Sequence, residues 1–201
     1  MILASSSPRR LQLLKEIGIT PEVISVGIDE TPLAGEKGAE LVKRLACAKA
    51  KACYEYLQNQ QQELNATPLA RQCILAADTS VWRGDDLLGK PHDADEACHM
   101  LKLLSGTTHH VSTGVCLLQL DEKTALARKT AFVETSTVRF YPLSDAQIDR
   151  YIATGEPFDK AGGYGIQGLG RLLVQSIEGD YFAIVGLPIA RVMRELEALS
   201  L

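Results

Sequence analysis

Arg9 and Arg10 follow Pro8 and the hydroxyl triplet Ser5-Ser6-Ser7. Guanidinium forks and hydroxyls both donate to phosphate oxygens, so this cluster reads as an anion site, with a solvated arginine pair as the alternative. Cations in a helix's first turn are disfavoured by its dipole, which favours the first reading. Asp78 directly follows the apolar run 73–77, where an unpaired carboxylate is costly to bury. A turn or cap residue fits that position, and so does a functional carboxylate. Glu30, just past a second apolar segment, and Asp159, in a glycine-rich segment, are placed similarly. Lys90 and Lys160 bring cations to two further loops, and Lys49 lies on a long helical segment, where a solvated lysine is the ordinary reading. Taken together, these residues could form one site. Its cations would hold a polyphosphate, and its carboxylates would hold a divalent metal or activate an attacking water.

The run Gly163-Tyr164-Gly165-Ile166-Gln167-Gly168 matches G-x-G-x-x-G letter for letter. A dinucleotide fingerprint needs a strand before it and a helix after it. Here Gly155-Glu156-Pro157 precedes the run and no helical pattern follows before Leu172, so a tight loop beside a ligand is the better reading. The histidines show no metal-binding spacing, and the five cysteines show no CxxC. Reduced thiols and no structural metal are expected.

The elements that must position these residues alternate. The run 2–4 reads as a short strand, and Pro8 opens a helix whose Leu11, Leu14 and Ile17 share one face before Gly18 stops it. A second strand is expected over 23–26. A long helix is expected over 36 to about 58, with Leu41, Leu45, Ala48 and Ala52 apolar. The polar stretch 58–72 reads as a solvated loop. A strand over 73–77 precedes a hairpin turn at Gly84-Asp85-Asp86. Asp93 with Glu96, and Ser144 with Gln147, read as capping boxes opening helices to about Leu104 and Ala153. Between them, strands over 111–120 and 126–140 should pair around Asp121-Glu122-Lys123. Residues 154–186 hold eight of the sixteen glycines, with strands expected over 172–177 and 182–185 and a terminal helix over 188–199. Strands and helices alternating, with hairpins inserted, predict an α/β fold on a mixed sheet.

Composition narrows the function. With 201 residues, 46% hydrophobic and 23% charged, the chain can bury a core and suits a single domain over 1–201. A formal net charge of −4, with four Phe and one Trp, disfavours nucleic acid as a partner. No run approaches the roughly 20 apolar residues of a membrane span. Arg9-Arg10 before leucines imitates a twin-arginine export signal, but Lys15-Glu16 interrupts the apolar stretch that signal requires.

The ordered set of motifs resembles the Maf family of nucleoside triphosphate pyrophosphatases. It comprises residues 3–10 (LASSSPRR), Ala76-Ala77-Asp78-Thr79, Gly89-Lys90-Pro91 and residues 159–168 (DKAGGYGIQG), supported by Leu45-Ala46, Lys49-Ala50, Ser105-Gly106 and Gly186-Leu187-Pro188. The match runs in order along essentially the whole chain. The resemblance implies a twisted mixed β-sheet flanked by helices, with two lobes around a deep cleft, similar to inosine triphosphate pyrophosphatases. It implies hydrolysis of a nucleoside triphosphate to the monophosphate and pyrophosphate, with a divalent cation (Mg2+ or Mn2+), in a cytoplasmic protein that in this family is often a homodimer. Asp78 would be the general base. Arg10, Lys49, Lys90 and Lys160 would hold the triphosphate, and Glu30 would join Asp78 at the metal. Arg9, Thr79 and Gln167 stand at positions linked to base choice, in the combination of the branch acting on dTTP and UTP. Gly163 stands where that branch often has alanine. A sister branch preferring 7-methylguanosine triphosphate differs around Thr79 and Gln167. The family is also associated with restraint of cell division, which leaves a nucleotide-binding regulator with little turnover as an alternative.

Overall fold

The computed structural model describes residues 1–64, 73–119 and 128–200. Its elements, in order, are β1 (Ile2–Leu3), α1 (Pro8–Glu16), β2 (Glu22–Val23), α2 (Gly38–Leu64), β3 (Cys73–Arg83), β4 (Asp86–Leu88), α3 (Ala94–Leu104), β5 (Thr108–Gln119), β6 (Arg128–Phe140), α4 (Asp145–Ile152), β7 (Val174–Glu178), α5 (Tyr181–Val185) and α6 (Ile189–Ser200). The strands make one seven-stranded sheet in the order β2-β1-β3-β5-β6-β7, with β4 also paired to β3. The β1–β2 and β1–β3 pairs are parallel and the rest antiparallel, so the sheet is mixed, as the inserted hairpins predict.

Strand alternation assigns the two faces of this sheet. Ile74 and Ala76 of β3 point to one side with Ile2, Ala4 and Cys116, and pack on Ala46, Ala50 and Cys53 of α2. Leu75 and Ala77 point to the other side with Leu3, Val115 and Leu117, and pack on Leu13 and Leu14 of α1 and Val192 of α6. Further along that second face, Val81, Val111, Val138 and Phe140 meet Leu101 and Leu104 of α3 and Ile148 of α4. Two buried clusters, both touched by Ile166, therefore lie along one sheet face, and α2 backs the other.

The capping expectations hold. Asp93 accepts from the Glu96 N–H at 2.8 Å to start α3, and Gln147 accepts from the Ser144 N–H at 2.8 Å to start α4. Several boundaries move, for identifiable reasons. The strand expected over 73–77 continues to Arg83, because β5 pairs with it from Cys73 through Trp82 and carries Asp78-Thr79-Ser80 inside the ladder. The segment 182–185, expected as a strand, is the helix α5. The Asp180 carboxylate accepts from the N–H groups of Phe182 and Ala183 and nucleates a helical turn, and a short apolar run does not by itself distinguish the two. Helix α2 begins at Gly38 and continues to Leu64 through the glutamine-rich stretch expected as a loop, in keeping with glutamine's good helix propensity. The rest of that stretch, 65–72, and the turn at Asp121-Glu122-Lys123 lie outside the described residues.

Smaller shifts follow the packing. On α2, Val42, Ala46, Ala50 and Cys53 are buried beside Leu41 and Leu45, while Ala48 and Ala52 are only partly covered. On α1 the covered face is Arg10, Leu13 and Leu14, and Ile17 is 44% exposed. β2 spans only Glu22–Val23, and β7 starts at Val174 after a 3-10 turn over Gly168–Leu173.

Candidate active site

The sheet itself opens the cleft. On one edge, β3 pairs with β1 at Ile74 and Leu75, and the Ala4 N–H donates to the Leu75 carbonyl at 2.8 Å. The chain then turns away through Ser5-Ser6-Ser7 into α1. The next strand on that edge is β4, which pairs from Val81 onward. Among the described residues no strand covers 77–80 on this side, and a cavity of about 1070 Å³ lies there. It sits past the carboxyl end of parallel β1, where open α/β sheets bind ligands. Arg9, Arg10, Glu30, Lys49, Asp78, Thr79, Lys90, Lys160 and Gln167 all line it. Every site residue expected from the sequence is therefore at one cleft.

Alternation along β3 then divides the labour. Asp78 shares the parity of Ile74 and Ala76 and turns toward α2, where Lys49 Nζ lies 2.6 Å from its Oδ1. The same ammonium is 2.8 Å from Glu30 Oε1, so one cation joins both carboxylates. Helix α2 can lie this close because β5 carries Gly114 beneath it. A Cβ there would sit 2.3 Å from the Val42 carbonyl oxygen. Lys49, whose place on a long helix taken alone suggested a solvated lysine, is 16% exposed at its side chain and Asp78 is 13% exposed.

Thr79 has the opposite parity and faces α1. The buried Arg10 guanidinium donates to Thr79 Oγ1 (3.0 Å), Ser5 Oγ (3.0 Å) and the Gly186 carbonyl (2.8 Å), bracing three segments of the cleft wall. Burial lowers its pKa from the usual arginine value, with nearby Asp78 opposing the shift. Across the cleft, Arg9 donates to Asp159 at 2.8 Å, and Lys160 Nζ contacts the other oxygen of Asp159 at 2.5 Å. Burial alone would raise the Asp159 pKa, but Lys160 and Arg9 outweigh it and hold the carboxyl below its usual value. Gly165 makes room for the Lys160 stem, since a Cβ there would meet its Cε at 2.6 Å. Lys90 is exposed, on the short segment between β4 and α3.

Sequence reading overlooked two contributors. Glu156 accepts from the N–H groups of Leu169 (2.9 Å) and Gly170 (3.2 Å), and so fixes the 3-10 turn that begins just after Gln167. Its only sequence signal was its place at the head of the glycine-rich segment. Tyr164, which also lines the cavity, is held by His109 Nε2 at 2.8 Å beneath Phe140. That pairing joins residues 55 positions apart and has no local signature. The G-x-G-x-x-G run has no strand before it, and a 3-10 turn follows rather than an α-helix. Its glycines shape a cavity wall, as expected.

The cleft's charges balance. Arg9, Arg10, Lys49, Lys90 and Lys160 face Glu30, Asp78, Glu96, Glu156 and Asp159. Among the described residues, no cluster of three or more acidic, histidine or cysteine side chains could cage a metal. Two carboxylates do converge, Asp78 and Glu30 on one ammonium. Magnesium is commonly bound by one or two carboxylates completed by substrate phosphates, so this donor set fits it. Chemically, the arrangement can position a polyphosphate, neutralise its charge and offer a carboxylate to a water.

A family model described as Maf-like protein matches residues 1–199. A dTTP/UTP pyrophosphatase of Bacillus cytotoxicus is 46% identical over 196 residues, covering 98% of this chain and 93% of that protein. A dTTP/UTP pyrophosphatase of Bacillus cereus is 43% identical over 201 residues, covering 100% of this chain and 96% of that protein.

Proposed function

We propose that this chain, which belongs to the Maf family, hydrolyses dTTP and UTP to the nucleoside monophosphate and pyrophosphate. The observation that carries the reading is the convergence of Asp78, five cations and the base-choice residues Thr79 and Gln167 on one cleft. Triphosphate hydrolysis asks mainly for positioning and charge stabilisation, which this set of side chains can provide. Asp78 Oδ1 is engaged by Lys49, which orients the carboxylate so that Oδ2 can take a proton from a water attacking the α-phosphorus. Arg10, Lys90 and Lys160 line the wall that would hold the triphosphate and steady the departing pyrophosphate. Asp78 and Glu30 would hold a magnesium or manganese ion, which supplies charge neutralisation at the phosphates when bound. The Gln167 amide both donates and accepts, as a uracil or thymine edge requires, whereas a glutamate could only accept.

The balanced cleft favours a metal-bound substrate, because five cations opposed by five carboxylates leave no net charge to attract a bare triphosphate. The five free cysteines agree with a reducing, cytoplasmic setting. No described helix is long and apolar enough to cross a membrane. The direct test is pyrophosphate release from a panel of nucleoside triphosphates with magnesium or manganese. Turnover of dTTP and UTP above the purine nucleotides is expected. Turnover of 7-methylguanosine triphosphate alone would place the chain in the sister branch, and binding without turnover would favour a regulator.

A further inference from the structure

We propose that Thr113, which lies behind the cleft wall, fixes the hydroxyl of Thr79 as a hydrogen-bond acceptor and so makes the site select bases carrying an N–H at the ring edge. Thr113 is fully buried on β5, directly paired with Thr79 of β3. Its Oγ1 lies 2.7 Å from the carbonyl oxygen of Ala183 in α5 and 2.8 Å from Thr79 Oγ1. A carbonyl cannot donate, so the single hydroxyl hydrogen of Thr113 is committed to Ala183. Between the two threonines, Thr79 must then be the donor. On its other side Thr79 accepts from the Arg10 guanidinium at 3.0 Å. The proton order is therefore fixed from end to end, Arg10 to Thr79 to Thr113 to the Ala183 carbonyl. Thr79 has spent its only hydrogen and has one lone pair left to offer the cavity it lines.

A lone pair repels phosphate oxygens, so Thr79 does not serve the triphosphate. It suits a donor. The N3–H of uracil and thymine is one, whereas N3 of cytosine is an acceptor and would face Thr79 lone pair to lone pair. Thr113 is thus a positioning residue that acts on base choice through Thr79. The inference rests on the dTTP/UTP reading above and adds the physical source of discrimination against cytosine.

The test compares kcat/KM for UTP and CTP in wild type, Thr113→Val and Thr113→Ser. Valine keeps the shape but removes the hydroxyl, so the Thr79 hydrogen is released to meet an acceptor, and the UTP:CTP ratio should fall about tenfold, the scale of one redirected hydrogen bond. Serine keeps the relay and should retain the wild-type ratio. An unchanged ratio in folded Thr113→Val, or an equal loss in Thr113→Ser, overturns the inference while leaving the dTTP/UTP reading standing. A second measurement needs no variant. Wild type should discriminate strongly against 3-methyl-UTP, and equal turnover of 3-methyl-UTP and UTP overturns the N3–H contact. Wild type that turns over neither UTP nor dTTP removes the parent reading and this inference with it.

Discussion

Replacing Asp78 with asparagine separates its chemical role from its structural one. The substitution preserves shape, and the asparagine carbonyl can still accept from Lys49 Nζ, now 2.6 Å from Asp78 Oδ1. Lys49 also keeps Glu30 at 2.8 Å, so the helix–strand contact survives. Exchanging one charge-assisted bond for a neutral one should cost about 1 kcal/mol. For a chain of this size that lowers Tm by roughly 2–4 °C. The catalytic loss should be much larger. A positioned general base contributes about 10²–10⁴ in rate, or roughly 3–5 kcal/mol of barrier. In the absence of divalent ions, nucleotide binding should be no weaker than wild type, because a carboxylate that repels the triphosphate has gone. The assay pairs pyrophosphate release with calorimetric binding and a melting curve on the same preparation. Turnover within tenfold of wild type, in a protein that binds and melts normally, would refute Asp78 as the base.

Glu156→Ala should strip the Leu169 and Gly170 N–H groups of their acceptor, cost about 1–3 kcal/mol, and blur the preference for UTP over GTP by disturbing Gln167. Glu156→Gln, which keeps an acceptor oxygen, should restore most of both in parallel melting and kinetic measurements. Gln167→Glu should weaken dTTP and UTP relative to guanine nucleotides, and an unaltered panel would detach Gln167 from base readout. His109 gives a pH prediction. Burial, helped by His110 and Arg83, pushes it down to about 4. The unfolded chain takes up this proton below about pH 6.5 while the folded one resists until about 4, so stability should fall by up to about 3 kcal/mol as pH drops through that window. His109→Gln should flatten the dependence of Tm on pH between 6.5 and 4, and an equally steep profile would reject the assignment.

How much was legible from sequence depended on whether the signal was local. The caps at Asp93 and Ser144 carry their mechanism within a few residues, and both helices start where expected, although Glu96 closes back on the His92 N–H rather than on that of Asp93. The apolar run at 182–185 carries no such mechanism. Asp180, which caps its start, and Gly186, whose N–H closes its end on the Phe182 carbonyl, favour a helical turn over an extended one. Asp78 shows the same limit within the site. Its position after an apolar run marked it as a costly carboxylate, but reading it past the end of a strand missed how the site is built. Because β3 continues, Asp78 and Thr79 point to opposite faces of one strand, which sends one to Lys49 and the other to Arg10. The pairing of Lys49 with two carboxylates depends on Gly114 admitting α2, some 65 residues along the chain, and helix periodicity holds no trace of it.

The charge pairing in the cleft also bears on how substrate enters and product leaves. Lys49 lies between Glu30 and Asp78, and Arg9 and Lys160 share Asp159, so three of the five cations are already held by carboxylates before any nucleotide arrives. Such cations need little reorganisation when phosphate charge develops near them, which is the condition under which electrostatic stabilisation is most effective. The same carboxylates oppose a bare polyanion, so the triphosphate should bind best with its charge part-neutralised by a divalent ion, and removing that ion with a chelator should abolish turnover. Full activity in excess chelator would mean that the cations alone suffice. Pyrophosphate is a compact polyanion that an unopposed cluster of five cations would retain. Against internal carboxylates it competes for cations that already have partners, so the acids that prearrange the site also assist release.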